Sequence, residues 1–117
     1  MSFLRKQLGA SGEDLAEKFL KKKGFKILGR NIRLKVGEID ILAEEGGDLV
    51  MVEVKTKTTR SFGKPYEEVD YFKQKKLHQL ARALNQQYPH KNLRIDVVSV
   101  QIEKEIKVEH LKGAVWF

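Results

Sequence analysis

The sequence predicts an α/β domain, a mixed sheet of about five strands with helices packed on its faces. Three observations predict it. The periodic segments run in the order α-β-β-β-α-β-β. A helical segment separates the third strand from the fourth, which makes the sheet mixed. The third strand, Leu49 to Thr56, starts apolar on both faces, as a central strand covered from both sides does.

Each element has local reasons. Ser11-Gly12-Glu13-Asp14 reads as a helix start, with Ser11 as N-cap and Asp14 in the capping-box position. Leu15, Ala16, Phe19 and Leu20 follow at helical spacing, Lys21-Lys22-Lys23 suits a helix C-terminus, and Gly24 is a natural stop, so the first helix is expected over about 11–23. Phe25 to Leu34 reads as a strand with Leu28, Arg30, Ile32 and Leu34 on one face and Ile27 on the other. After the turn Lys35-Val36-Gly37, Glu38 to Ala43 and Leu49 to Thr56 form two strands around the loop Glu45-Gly46-Gly47-Asp48. Residues 57–64 read as an exposed loop. The helical pattern from about Glu67 to Gln87 buries Val69, Lys73, Leu77, Leu80, Ala81 and Leu84, and Tyr88-Pro89 ends it. Leu93 to Ile102 and Ile106 to Leu111 complete the sheet around Glu103-Lys104-Glu105.

The 117 residues suit one domain over 1–117, with 41% hydrophobic and 33% charged residues fitting a folded, charge-rich chain. There are no cysteines, which excludes disulfides, thiolate zinc sites and thiol catalysis. No run approaches a membrane span and the N-terminus has no apolar signal core, so a cytoplasmic protein without membrane contact is expected. The net charge is +7 and unevenly spread. Residues 1–35 carry ten basic groups against three acids, residues 36–55 one against six, and residues 56–91 eight against three. Basic arms suit a polyanion, and an acidic centre repels one unless a cation lies between them. The same pattern also fits solvated lysine-rich helices with acids in loops.

The chemistry concentrates in Gly37-Glu38-Ile39-Asp40-Ile41 and Val52-Glu53-Val54-Lys55. Alternation puts Glu53 and Lys55 on one face of their strand, with Asp40 on the neighbouring strand. Asp is disfavoured inside strands and an unpaired charge there is costly, so three charged groups in an apolar hairpin need compensation. Two readings remain open. Asp40 and Glu53 could hold a divalent cation with oxygen ligands, as Mg²⁺ prefers. Alternatively, Lys55 neutralises one acid in an ion pair, which still leaves one negative charge. Glu13, near the apolar stripe of the first helix, could face the sheet and join the cluster, or simply favour the helix dipole. Glu38, on the same face as Asp40 by alternation but nearer the strand start, reads as a group supporting the ligands or as a solvated edge acid.

Asp40, twelve intervening residues, then Glu53-Val54-Lys55 resembles the PD-(D/E)xK nuclease motif. With Gly9-x-x-Gly12-Glu13, Ala16-Glu17, Gly24-Phe25, Asn31-Ile32-Arg33, Gly37-Glu38-Ile39-Asp40, Phe62-Gly63-x-Pro65 and Asp96-Val97-Val98, nearly the whole chain resembles the bacterial YraN family of predicted endonucleases. That family is similar to archaeal-type Holliday junction resolvases. Ile39 stands where the motif's name has proline. The resemblance implies a three-layer restriction-endonuclease-like fold and a nuclease acting on DNA, including branched or structured DNA. It further implies Mg²⁺ or Mn²⁺ on Asp40, Glu53 and the Val54 carbonyl, Lys55 positioning or deprotonating the attacking water, and Glu13 completing the site. Lys57, Arg60, Lys64, Lys73, Lys75, Lys76 and Arg82 would hold phosphates, and symmetric substrates suggest a homodimer.

Other residues offer less. His78, His90 and His110 show no ligand spacing. Ser99 reads as a strand hydroxyl, Asp96 as a structural partner for a backbone or basic group, Phe62 as a loop anchor, and Trp116-Phe117 as cover for a core edge or a dimer interface. Two rivals to the nuclease remain: a nucleic-acid-binding module with little or no turnover, and a structural partner protein whose acids form an ion-pair network.

Overall fold

The computed structural model describes residues 2–57 and 71–114, with side chains from residue 12 in the first segment and residue 72 in the second. Its elements are α1 (Ser2–Lys22), β1 (Lys26–Leu34), β2 (Gly37–Glu45), β3 (Asp48–Lys57), α2 (Tyr71–Gln87), β4 (Asn92–Ile102) and β5 (Ile106–Leu111). The strands form one sheet in the order β1-β2-β3-β4-β5. Neighbours are antiparallel except β3 and β4, which run parallel. This is the α/β, three-layer arrangement around a mixed five-stranded sheet that the sequence predicts.

Two cores lie on opposite faces of the sheet. On one, α1 brings Ala16 and Leu20 against Ile41, Ala43, Val50, Val52, Val98 and Val100, with Phe25. On the other, Leu77, Leu80, Ala81 and Leu84 of α2 cover Ile39, Leu42, Leu49, Met51, Ile95 and Val97. β3 alternates between them residue by residue, as a central strand must. Leu77, Leu80, Ala81 and Leu84 are buried as their spacing predicts, whereas Lys73, expected on the same buried side, keeps its charged end outside the apolar core and is only partly buried; Val69 lies outside the described residues.

The C-terminus of α1 follows the sequence expectation. Gly24 adopts φ 95°, the Phe25 amide donates to the Leu20 carbonyl and the Gly24 amide to the Lys21 carbonyl, both at 3.0 Å. These are the two reverse bonds of a Schellman stop. Its N-terminus does not follow. α1 begins at Ser2, so Ser11 lies inside the helix and is not its cap. Leu4, Arg5, Lys6, Gln7 and Leu8 are good helix formers, and neither Gly9 nor Gly12 is enough to break the run.

The face assignment of β1 is also corrected. A bulge between Ile27 and Gly29 leaves Leu28 40% exposed. Further along, Asn31 takes φ 52°, a left-handed value that Asn tolerates better than most residues. Arg30 and Ile32 therefore face opposite sides. Arg30 turns to α1, where it meets Glu13 and Asp14, while Ile32 packs with the α2 core.

At Gly12, α1 comes close against Thr56 of β3. A Cβ there would collide with Thr56 Oγ1 and lie 2.9 Å from both Thr56 Cβ and Cγ2. Glycine at this position brings the next residue, Glu13, down onto the sheet. Gly12→Ala should therefore lift α1 and cost about 1–3 kcal/mol in urea unfolding. Thr56→Ala in the same chain should recover part of that loss; full stability in the single variant would contradict the packing described.

Candidate functional site

The β2–β3 ladder runs from Glu45↔Asp48 to Ile41↔Val52 and then stops. At that point β2 changes face: Ile39 packs in the α2 core, whereas Ile41, two residues on, packs in the α1 core. Their β1 partners, Ile32 and Arg30, switch with them, on either side of the left-handed Asn31. Asp40 stands at the switch. Its side chain extends toward β3, where Oδ2 accepts the Val54 amide at 2.9 Å. A carboxylate thus takes a strand amide where the ladder has ended.

Glu53 is the next residue back along β3, on the α2 face with Leu49 and Met51. Its side chain is 9% exposed and Oε1 meets two ammonium groups, Lys73 Nζ at 2.7 Å and Lys55 Nζ at 3.5 Å. Glu13 enters from the α1 side. It is held by Arg30 Nη2 at 3.4 Å and, with the Asn31 amide nitrogen turned to the acids, by Asn31 at 3.1 Å; Asn31 also donates to Glu38 Oε1 at 3.1 Å. Glu38 is otherwise exposed, with Arg33 at 3.8 Å.

The electrostatics single out Asp40. Burial, and then the charge of Glu53, push its carboxyl up to about 7, with Glu13 adding to the rise and the Val54 amide and Lys73 opposing it. A half-buried carboxylate crowded by two others is short of positive charge. Asp40, Glu53 and the Val54 carbonyl are hard oxygen donors of the kind Mg²⁺ or Mn²⁺ takes, so the residues fit such an ion. Among the described residues, no three His, Asp or Glu side chains gather at metal-ligating range. Glu13, tied to Arg30 and Asn31, stands at the margin.

The remaining expected site residues divide by place. Lys57 ends β3 and is partly buried, and Lys75, Lys76 and Arg82 are exposed on α2. Lys73 points into the acidic site itself. Arg60, Lys64, Phe62 and Trp116-Phe117 lie outside the described residues. Sequence reasoning does not find Arg30 and Asn31 as the holders of Glu13. An Asn in the middle of an otherwise apolar or basic strand is the available signal.

Asp96 has a different environment. Fully buried, it accepts from Arg94 Nε at 2.8 Å, from the Gly113 amide at 2.9 Å and from His110 Nε2 at 2.8 Å, while Lys23 Nζ donates to His110 Nδ1 at 3.0 Å. Against burial, bonds from His110, Arg94 and Gly113 hold its carboxyl below the usual range. Asp96 is the structural partner its sequence position suggests.

The family model described as "Uncharacterised protein family UPF0102" matches residues 12–100. The chain belongs to the UPF0102 family. This is the YraN family that its motifs resemble. Among its relatives, a UPF0102 protein of Alkaliphilus oremlandii is 43% identical, over 95% of this chain and 99% of its own length. Another, from Paenarthrobacter aurescens, is 45% identical over 91% of each. The solved "Structure of EndoMS-dsDNA2 complex" overlaps 69% of this chain at 21% identity and a TM-score of 0.48; this UPF0102 chain spans 32% of the length of that one. The structure of Pyrococcus furiosus SfsA in complex with Ca²⁺ overlaps 97% of this chain at 16% identity and a TM-score of 0.42, with 65% of its own length covered.

The raised carboxyl of Asp40 gives a pH dependence. An ordinary aspartate titrates at 3.8, so the folded chain holds this proton more tightly than the unfolded chain does. The resulting stabilisation is full below about pH 4 and is lost as pH rises through about 7. Metal-free protein should therefore lose stability between pH 5 and 8, and Asp40→Asn should flatten that fall and raise stability at pH 8 by about 1–3 kcal/mol. Asp96 acts in the opposite sense and only below the usual carboxylate range, so the difference between wild type and Asp40→Asn across pH 5–8 reports Asp40. A wild-type slope unchanged by Asp40→Asn would contradict this account.

Proposed function

We propose that this protein is a metal-dependent nuclease that hydrolyses phosphodiester bonds in DNA, with branched or structured DNA among its candidate substrates. The observation that carries the reading is that Asp40 accepts the amide of Val54, next to Glu53, whose charge acts on it and whose Oε1 meets two lysines. Mg²⁺ or Mn²⁺, held by Asp40, Glu53 and the Val54 carbonyl, would supply Lewis acidity toward the phosphate and lower the pKa of the attacking water. Lys55, a quarter exposed beside Glu53, would orient that water and offset charge gathering on the phosphorus oxygens. Glu13 would act through the rim of the site, its orientation set by Arg30 and Asn31. Lys57, Lys75, Lys76 and Arg82 would take phosphates along the duplex, joined by Arg60 and Lys64. A two-fold homodimer would suit cleavage of two symmetric strands.

A second reading has its own support. Glu53 already has two ammonium partners and Glu13 has Arg30, so much of the site's negative charge is met without a metal. A nucleic-acid-binding module with little turnover fits that balance.

Cleavage of duplex, single-stranded, flap and four-way-junction DNA with Mg²⁺ or Mn²⁺ separates the two. The nuclease should cut at least one substrate, and Asp40→Asn should lower the rate by a factor of about 10² or more, since it removes a ligand charge. Cleavage indifferent to Asp40→Asn would place the activity elsewhere. No cleavage across the set, with steeply salt-dependent binding, would favour the module. Replacing Lys75, Lys76 and Arg82 with Ala should weaken binding under either reading and lower the salt slope by about one for each phosphate that is no longer neutralised.

A further inference from the structure

Two lysines contact Glu53 Oε1, and they are not equivalent. Lys55 lies two residues along the same strand, so alternation keeps it on the same face as Glu53 whatever occupies the site. It sits at 3.5 Å with its side chain a quarter exposed. Lys73 arrives from α2, a different layer, at 2.7 Å and with a side chain 34% exposed. Its flexible stem can carry the ammonium group out to solvent without moving any backbone.

Lys55 and Lys73 already meet the charge of Glu53. A divalent cation on the same carboxylate would sit beside two ammonium groups in a half-buried site, where like charges repel far more than in water. Glu53 Oε1, with an ammonium at 2.7 Å, is also already engaged. The group that can leave is Lys73.

We infer that Lys73 is the exchangeable counter-ion of Glu53, occupying the metal's position on the carboxylate in the metal-free protein and vacating it when a divalent cation binds. This rests on the metal-site reading above and adds a residue of α2 to it. Lys73 is a positioning residue in this role. It holds Glu53 in place until the cation arrives, and it sets a threshold below which the site stays metal-free.

Isothermal titration of the full-length protein with Mn²⁺ alone tests the exchange. Lys73→Met keeps the stem and removes the charge, and Lys73→Gln keeps a polar end. Both should bind Mn²⁺ on the order of tenfold more tightly than wild type, because the metal no longer displaces an ammonium group. Both should melt at lower temperature without metal and gain more than wild type on adding it. A lysine with a merely structural role would lower the melting temperature without tightening Mn²⁺. Wild-type Mn²⁺ binding that is lost in Asp40→Asn but unchanged or weakened in both Lys73 variants would overturn this inference and leave the metal site standing. No binding at millimolar Mn²⁺ by wild type or either variant would overturn both.

Discussion

The hydrogen bond from the Val54 amide to Asp40 Oδ2 marks the constraint on which the site depends. An antiparallel pair that kept its ladder would give strand amides to strand carbonyls and leave no opening between β2 and β3. Here the ladder ends at Ile41↔Val52, and the next element of pairing is supplied by a side chain. The switch is shared with β1, where left-handed Asn31 sends Arg30 and Ile32 to opposite faces. Because the sheet parts at this point, groups from both helical layers reach one place: Glu13 from α1 and Lys73 from α2 both act on Asp40. A flat, fully paired sheet would keep those two groups on opposite sides of a hydrophobic wall.

The protein buries carboxylates in two ways, and the contrast lies in how each charge is met. Asp96 is enclosed by Arg94, His110 and the Gly113 amide, and its carboxyl is held low. Every oxygen has a donor and the charge is matched, so the cluster fixes β4 to the chain after β5 and has nothing left to offer a ligand. Asp40 has one backbone donor and two acidic neighbours, and its carboxyl is pushed up. This arrangement carries an electrostatic cost in the folded state that Asp96 avoids.

Much of this is legible in the sequence because it rests on strict periods. The apolar run of β3, the Leu77-Leu80-Ala81-Leu84 stripe of α2 and the Gly24 stop each follow from one local rule, and the structure keeps them. Asp40 and Glu53 stand out because acids are costly in apolar strands. Inferences that extend a period across a break fail. Alternation groups Arg30 with Ile32, and a bulge and one left-handed residue undo that within four positions. Ser11 has the chemistry of a cap, but a cap needs the preceding residues to be non-helical, and Leu4 to Leu8 give no reason for that. The partners of Glu13 are hidden for the same reason, since they sit on the segment whose facing alternation gets wrong.

The same breaks that defeat periodicity build the site. Alternation is what packs a sheet between two helices, and a strand that obeyed it throughout would direct Asp40 into one core or the other. In either, an unpaired carboxylate is too costly to keep. A change of face gives the side chain a third direction, within the plane of the sheet and toward the gap at the end of the ladder. Gly12 then matters because α1 must come close enough for the adjacent Glu13 to reach that plane. Lys73 matters because an arm from α2 is long enough to reach it from the other side. The site is therefore a product of irregularity in the middle layer and of regular, well-packed helices in the outer two.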